Sequence, residues 1–390
     1  MNIKRVAQGA ALLVAGALLP LAQAPAADTA PPPPAEIAPI PVVMLTDLGS
    51  GQVLYARQPD LSFVPASVTK VMTAYVAFEA MAAGRLRPTT LFPVRRETAL
   101  QWRGVGTSLA LDPGAHVPVE ILLRGVTTVS ANDAAVVLAE GFAGSVSGWS
   151  ALMNAEARRL GMTHSRFATP NGWPDEGATY VSASDLTKLA NAMIRRHPSL
   201  YRSYFGQKTL TWNGVTGRNH DPISGVVPGA DGIKTGYTRE AGYNFLGSAE
   251  RDGRRLVMVL AGAHNGPERA AAARALIDWG FAAWDARKLF AAGEAVGEAL
   301  VQGGDYRRVP LVAPSAIDVA TPRGSGGAVR LRVIYKGPLK APIASGSQVA
   351  ELEIVPAVGP PGRVPLFAGH GVAQAGPIDR LINGLAALFT

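Results

Sequence analysis

The sequence predicts an α+β fold followed by a smaller all-β domain, and three features carry that expectation. Hairpin patterns stand at both ends of the first two thirds of the chain. One joins 42–46 to 52–55 through the turn-rich Asp47, Leu48, Gly49, Ser50 and Gly51, and the other joins 246–249 to 256–261 through Arg251, Asp252, Gly253 and Arg254. Helical patterns fill the interval, so a sheet has to bring together segments far apart in sequence. From about Lys288 the texture changes to short apolar runs at 308–312, 329–335, 348–355 and 363–367, separated by Gly, Pro and Ser, the cadence of a small β domain.

Lys4 and Arg5 precede an apolar run from Ala10 to Leu21 and the small residues Ala22, Ala24, Ala26 and Ala27. This is the pattern of a cleaved export signal, and the run is shorter than the roughly 20 residues that span a bilayer. Four consecutive prolines, Pro31 to Pro34, make 27–41 an extended, solvated tether. The first long helix starts at Pro65-Ala66-Ser67 and runs to about Met81. Val71, Met72, Ala74, Tyr75, Val76, Ala77 and Phe78 make it apolar nearly all round, the mark of a central helix. Further helices are expected at 118–123, 133–140, 148–159, 184–195 and 268–279, and a strand at 231–238. At the end, Ile378, Leu381, Ile382, Leu385, Ala386 and Phe389 fall on one helical face. At about 1.5 Å per residue that helix reaches only about 21 Å, so any membrane role is interfacial. The expected organisation is a signal over 1–26, a tether over 27–41, a catalytic domain over 42–285, a β domain over 286–368 and an amphipathic tail over 369–390.

Of the 390 residues, 48% are hydrophobic and 17% charged, the balance of a packed protein. The formal charge of +8 suits an anionic neighbourhood, whether membrane, wall polymer or nucleic acid, without choosing among them. There are no cysteines, and the six histidines show no paired ligand spacing such as H-x-x-x-H, so no metal or cofactor is expected.

Three short polar clusters carry the chemistry. Ser67 and Lys70 lie three apart at the start of the apolar helix, so a hydroxyl and an amine share one face. Burial lowers the proton affinity of such an amine and makes it a base for the serine. Ser130 and Asn132 flank Ala131 in a turn, where residues two apart can face one cleft. Lys234, Thr235 and Gly236 lie on the expected strand, with Lys234 and Gly236 on one face, so a cation projects where a missing side chain leaves room for a substrate backbone. Each cluster alone has a plain structural explanation as a helix cap, a helix start or a surface strand. Their joint occurrence in the order S-x-x-K, S-x-N, K-T-G is the signature of penicillin-binding proteins and class A β-lactamases.

With those motifs the chain resembles the low-molecular-mass penicillin-binding proteins of the D-alanyl-D-alanine carboxypeptidase group, peptidase family S11. The likeness extends from about Val42 to Phe367 and includes Leu160-Gly161-Met162, Ala241-Gly242-Tyr243-Asn244 and Leu339-Lys340-Ala341-Pro342-Ile343. The resemblance implies a penicilloyl-serine-transferase-like domain, a β-sandwich and a membrane-associating C-terminal helix. It further implies Ser67 as the acylated nucleophile, Lys70 as its base and Ser130 as the proton relay. Asn132, Lys234 and Thr235 would bind substrate, with the backbone N–H groups of Ser67 and Tyr237 as oxyanion hole. The partners implied are peptidoglycan stems ending in D-Ala-D-Ala, β-lactams as covalent inhibitors and a membrane surface, but no nucleic acid. Ala131 replaces a common glycine and Tyr237 a common histidine, and either Arg218 or His220 stands near the position of an arginine that binds the substrate carboxylate. A secreted β-lactamase is the nearest alternative, and Glu176 its only obvious water-activating carboxylate. A non-catalytic wall-binding protein is the alternative from another class.

Overall fold

The computed structural model describes residues 30–376, so the expected signal and the amphipathic helix of 377–390 lie outside the described residues. The chain divides into two compact units, one of residues 32–48 and 53–282, the other of 49–52 and 283–376. In chain order the first unit begins with β1 (Val42–Asp47), β2 (Gln52–Arg57), α1 (Lys70–Ala82), β3 (Leu91–Pro93), α2 (Arg96–Trp102), β4 (His116–Pro118), α3 (Val119–Arg124) and α4 (Asn132–Ala143). It continues with α5 (Val146–Arg159), α6 (Ala183–Arg196), α7 (Pro198–Tyr204), β5 (Thr209–Trp212), β6 (Val215–Arg218), β7 (Ala230–Thr238), β8 (Gly242–Arg251), β9 (Arg254–Ala263) and α8 (Gly266–Ala282).

The sheet of this unit runs β2-β1-β9-β8-β7, with antiparallel pairing of β1 to β9, β9 to β8 and β8 to β7. Sequence-distant hairpins thus meet as expected. All six residues of β1 are buried because both faces of the sheet are covered. Met44 faces α6, where the Thr187 hydroxyl lies 3.7 Å from its sulfur. Its neighbour Leu45 faces α8, which lies so close that a side chain at Gly280 would meet Leu45 and Leu256 at 2.7 Å. Helix α1 runs through the middle of the core, and ten of its thirteen residues are buried.

The second unit is all-β, with β10 (Trp284–Phe290), β11 (Ala295–Gln302), β12 (Arg308–Val312), β13 (Ile317–Pro322), β14 (Val329–Ile334), β15 (Leu339–Lys340), β16 (Gln348–Pro356) and β17 (Gly362–Ala368). The burial of β11 alternates, with Val296, Ala299 and Val301 inward, and they share a core with Val309, Leu311, Leu352, Ile354 and Leu366.

Two expectations are corrected at the margins. The tether does not extend to residue 41: Ala35–Ile37 form a 3₁₀ turn, and Ile37 and Ile40 are buried. The Arg57 guanidinium donates to the carbonyls of Ile37, Ala38 and Ile40 at 2.8–2.9 Å, so the segment has both apolar and polar anchors. At the other end, residues 369–376 belong to the β unit, not to a tail. Val372 is buried and bridges Ile343, and Gln374 bridges Gly304. The short elements α2, α7, β3, β4, β5 and β6 were not expected, since each is too brief to show a period.

Substituting Ile37→Ala is predicted to destabilise the first unit by about 2–4 kcal/mol, the cost of a core truncation. Urea unfolding would read this as a lower midpoint, and a change within about 0.5 kcal/mol would restore the solvated tether.

Candidate active site

The site is assembled where the start of α1 meets the edge strand β7. Ser67 lies in a 3₁₀ turn, Ala66–Thr69, that leads directly into α1 at Lys70. Ala66 is held at φ 51°, a left-handed conformation that costs a non-glycine residue about 1–2 kcal/mol. The turn is pinned from two sides. A side chain at Gly172 would fall 1.9 Å from the Ala66 carbonyl oxygen, and one at Gly236 would fall 2.4 Å from that of Pro65 and 3.2 Å from the Ser67 nitrogen. Gly236 therefore serves first to let β7 lie against the nucleophile turn. That differs from the expectation that it makes room for substrate.

Lys70 is fully buried, and its Nζ lies 2.9 Å from Ser67 Oγ, 2.8 Å from Asn132 Oδ1 and 2.7 Å from the Asn171 carbonyl. The last two are pure acceptors and each takes an N–H. The position facing Ser67 then holds a third N–H in the ammonium form or the lone pair in the neutral amine. Burial, and after it the charge of Lys234, push Lys70 well below the usual lysine range, while Asp133 acts the other way. The geometry therefore favours a neutral amine facing the serine hydroxyl.

Ser130 follows a π-helical turn, Gly125–Val129, and is itself left-handed at φ 65°. The reversal ends the helix and starts α4 at Asn132. Asn132 is fixed by three bonds. Its N–H donates to the Thr107 carbonyl at 2.8 Å, its Nδ2 to the Val105 carbonyl at 3.2 Å, and its Oδ1 accepts from Lys70. Ser130 and Asn132 are both nearly buried, at 8% and 5% exposure.

Lys234 and Thr235 are buried on β7, and Lys234 Nζ donates to the Thr235 carbonyl at 2.9 Å. Burial, followed by the charge of Arg269, brings Lys234 down to about 7, with Asp221 opposing. Tyr237 is exposed, its ring packed on Tyr243 with centroids 4.2 Å apart. Arg269 lies over the other member of that pair, 5.7 Å from the Tyr243 ring, and its buried Nε has no hydrogen-bond partner among the described residues.

Of the two residues considered for carboxylate binding, Arg218 sits exposed on β6 opposite Thr209. His220 is also exposed, and partial burial followed by the charges of Lys234 and Arg269 depresses its imidazole. Sequence reasoning missed Arg269. A signal was present, since a cation in the first turn of α8 opposes the helix dipole and needs a reason beyond folding. It also missed Asn171, which contributes a main-chain carbonyl and so leaves no trace in residue identity. Glu176 is exposed in the 170–180 loop, and the loop's other acid, Asp175, is taken by the Thr179 hydroxyl at 2.5 Å and its N–H at 3.1 Å.

Burying Lys234 costs folding energy wherever the unfolded chain holds the proton, because the folded site binds that proton more weakly. Its folded value lies near 7 and its unfolded value near 10.5, so its drag on stability is full below pH 7 and fades as pH rises toward 10.5. Lys234→Met is therefore predicted to raise the melting temperature at pH 7, with the gain shrinking by pH 10. A gain independent of pH would contradict a buried, weakly basic amine.

Residues 28–265 match the family model of D-alanyl-D-alanine carboxypeptidase, peptidase S11, and residues 284–374 match that of the penicillin-binding protein 5 C-terminal domain. The chain is 34% identical over 386 residues to the D-alanyl-D-alanine carboxypeptidase DacD of Salmonella typhimurium, covering 98% of each. Its fold is similar to the crystal structure of penicillin-binding protein 5 from Haemophilus influenzae, with a TM-score of 0.71 and 30% identity over 86% of this chain and 98% of that one. It is also similar to penicillin-binding protein D2 from Listeria monocytogenes in its ampicillin-bound form, with a TM-score of 0.56 and 29% identity over 62% of this chain and 97% of the other. The first unit is thus a penicilloyl-serine-transferase-type domain and the second a β-sandwich of the penicillin-binding protein 5 type, and the chain belongs to the D-alanyl-D-alanine carboxypeptidase family S11 of serine peptidases.

Proposed function

We propose that this protein removes the terminal D-alanine from peptidoglycan stem peptides through an ester formed on Ser67. The observation that carries the reading is the set of three contacts made by Lys70 Nζ, with Ser67 Oγ on one side and two carbonyl acceptors on the others. The neutral amine takes the Ser67 proton as Oγ attacks the carbonyl carbon of the penultimate D-alanine. The N–H groups of Ser67 and Tyr237 hold the oxyanion. Collapse breaks the C–N bond, and Ser130 relays the proton held by Lys70 to the departing amine, which returns Lys70 to its neutral form. Water, activated by the same Lys70, then hydrolyses the ester. Asn132 holds the substrate amide, while Lys234, Thr235 and Arg269 face the terminal carboxylate. Arg269 is preferred to Arg218 for that task because its buried Nε has no hydrogen-bond partner among the described residues and its charge acts on Lys234.

β-Lactams present the same carbonyl to Ser67 and leave an ester that water removes slowly. The carboxypeptidase reading is favoured over a β-lactamase because no acid of the 170–180 loop bonds Lys70, which meets only the Asn171 carbonyl there. The motifs at 1–26 and 377–390 support export and attachment of the enzyme to the outer face of the cytoplasmic membrane, with the catalytic unit acting in the envelope.

Fluorescent penicillin is predicted to label the wild type and not Ser67→Ala, with the adduct mapped by mass spectrometry to the peptide carrying Ser67. Lys70→Met should lower acylation by roughly 10²- to 10⁴-fold. Turnover of penicillin faster than of a peptide ending in D-Ala-D-Ala would make the protein a lactamase instead. For the peptide, kcat/KM should trace a bell against pH. Its acid limb reports protonation of Lys70, and its alkaline limb, near 7 in the free enzyme, the loss of the Lys234 charge that attracts the carboxylate. An alkaline limb unchanged in Lys234→Met would remove that assignment.

A further inference from the structure

We propose that Asp133 is a positioning residue which ties the 105–111 wall of the cleft, and through it Asn132, to the Lys70 amine that deprotonates Ser67. The role rests on the acylation chemistry proposed above. Asp133 is the residue after Asn132 and is 2% exposed. Its two carboxylate oxygens accept four bonds, all from neutral donors. Oδ2 takes the Ser108 hydroxyl at 2.6 Å and the Leu111 N–H at 3.1 Å, and Oδ1 takes the Leu109 N–H at 3.0 Å and the Ala134 N–H at 2.8 Å. Three of the four donors belong to the 105–111 segment, so a single side chain clasps it.

That segment needs a clasp. Ala110 is strained at a positive φ of 53°, and the segment packs so closely that a side chain at Gly106 would fall 2.8 Å from Asn132 Nδ2 and 3.0 Å from the Trp173 ring. The same segment supplies the Val105 and Thr107 carbonyls that fix Asn132. The path is therefore contiguous: Asp133 holds 108–111, residues 105–107 hold Asn132, and Asn132 Oδ1 holds Lys70. A carboxylate with no cationic hydrogen-bond partner also keeps its charge uncancelled in a low-dielectric interior, where it acts on Lys70 more strongly than it would in water. The charged groups facing Lys70 are Lys234 from β7 and Asp133 from α4, and the 170–180 loop offers only the Asn171 carbonyl. Burial and Lys234 weaken the base, and Asp133 alone opposes them.

The test is the second-order rate of acylation by fluorescent penicillin from pH 5 to 9, with melting temperatures to establish folding. Asp133→Asn keeps the size of the side chain and removes its charge. Acylation at pH 8 is expected to fall roughly tenfold, while the acid limb moves down by about half to one pH unit because a less basic amine stays neutral to lower pH. Ser108→Ala loosens the clasp but leaves the charge, so its rate should fall a few-fold with the acid limb at or above that of the wild type. A slower Asp133→Asn whose limb has not moved would reduce Asp133 to a structural residue and overturn the proposal. If Asp133→Asn does not accumulate as folded protein, Ser108→Ala decides, and acylation equal to the wild type would overturn the clasp. Wild type that penicillin does not label would remove the underlying chemistry, an outcome separate from either of these.

Discussion

The whole site depends on keeping one amine out of water. A buried ammonium is costly unless it is paired, and among the described residues Lys70 has no carboxylate within bonding distance, only a hydroxyl and two carbonyl oxygens. Such a group lowers the energy of the molecule by shedding its proton. The fold thus turns a desolvation penalty into a weakly basic amine, the base of the proposed reaction, and it does so by starting an almost wholly buried helix at that residue. A lysine one turn earlier or later on a half-exposed helix would stay hydrated and remain an acid.

A dry amine is useful only if the serine is held against it, and this explains the tight backbone packing around the nucleophile turn. The 170–180 loop approaches it through Gly172 and β7 through Gly236, at distances where any side chain would collide with main-chain atoms. Ala66 and Ser130 hold left-handed conformations at the two turns that aim Ser67 and Asn132 inward. Strain at a pair of non-glycine residues persists only where the surroundings over-determine it. Here those surroundings are a sheet edge, a core helix and a loop from three distant parts of the chain.

How much of this was legible in the sequence follows from what each feature is made of. The core helix, the β7 strand and both hairpins were readable because their apolar patterns are long or bounded by strong turns, and the motif serines and lysines were readable because side-chain identity carries their chemistry. The buried segment at 35–40 was misread because Pro31 to Pro34 announced a solvated tether, yet two isoleucines behind them supplied enough apolar surface to dock. The limits of the β unit were drawn too short because residues 369–376 pair through isolated bridges with no strand period. The Asn171 carbonyl and the crowding at Gly236 are backbone facts, and nothing in a residue's identity announces where its main chain will lie. Arg269 stayed hidden for another reason: it is far in sequence from every motif and reaches the cleft only because β7, β8 and β9 fold back on one another.

The electrostatics of the cleft then follow from where the charges are anchored. Burial and then the charge of Arg269 weaken the hold of Lys234 on its proton, and burial depresses Arg269 in turn, with Asp221 as an opposing charge common to both. They make one end of the cleft strongly attractive to an anion. Asp133 stands on the side of the 105–111 wall, among neutral donors, and its field falls on Lys70. In the proposed reaction a substrate with a free carboxylate is thereby oriented before any chemistry occurs, its anionic end toward the cations and its scissile carbonyl toward Ser67. An internal peptide bond offers no such charge. On that proposal, discrimination in favour of chain ends follows from holding two cations in the interior, and the stability lost in doing so is the cost of that specificity.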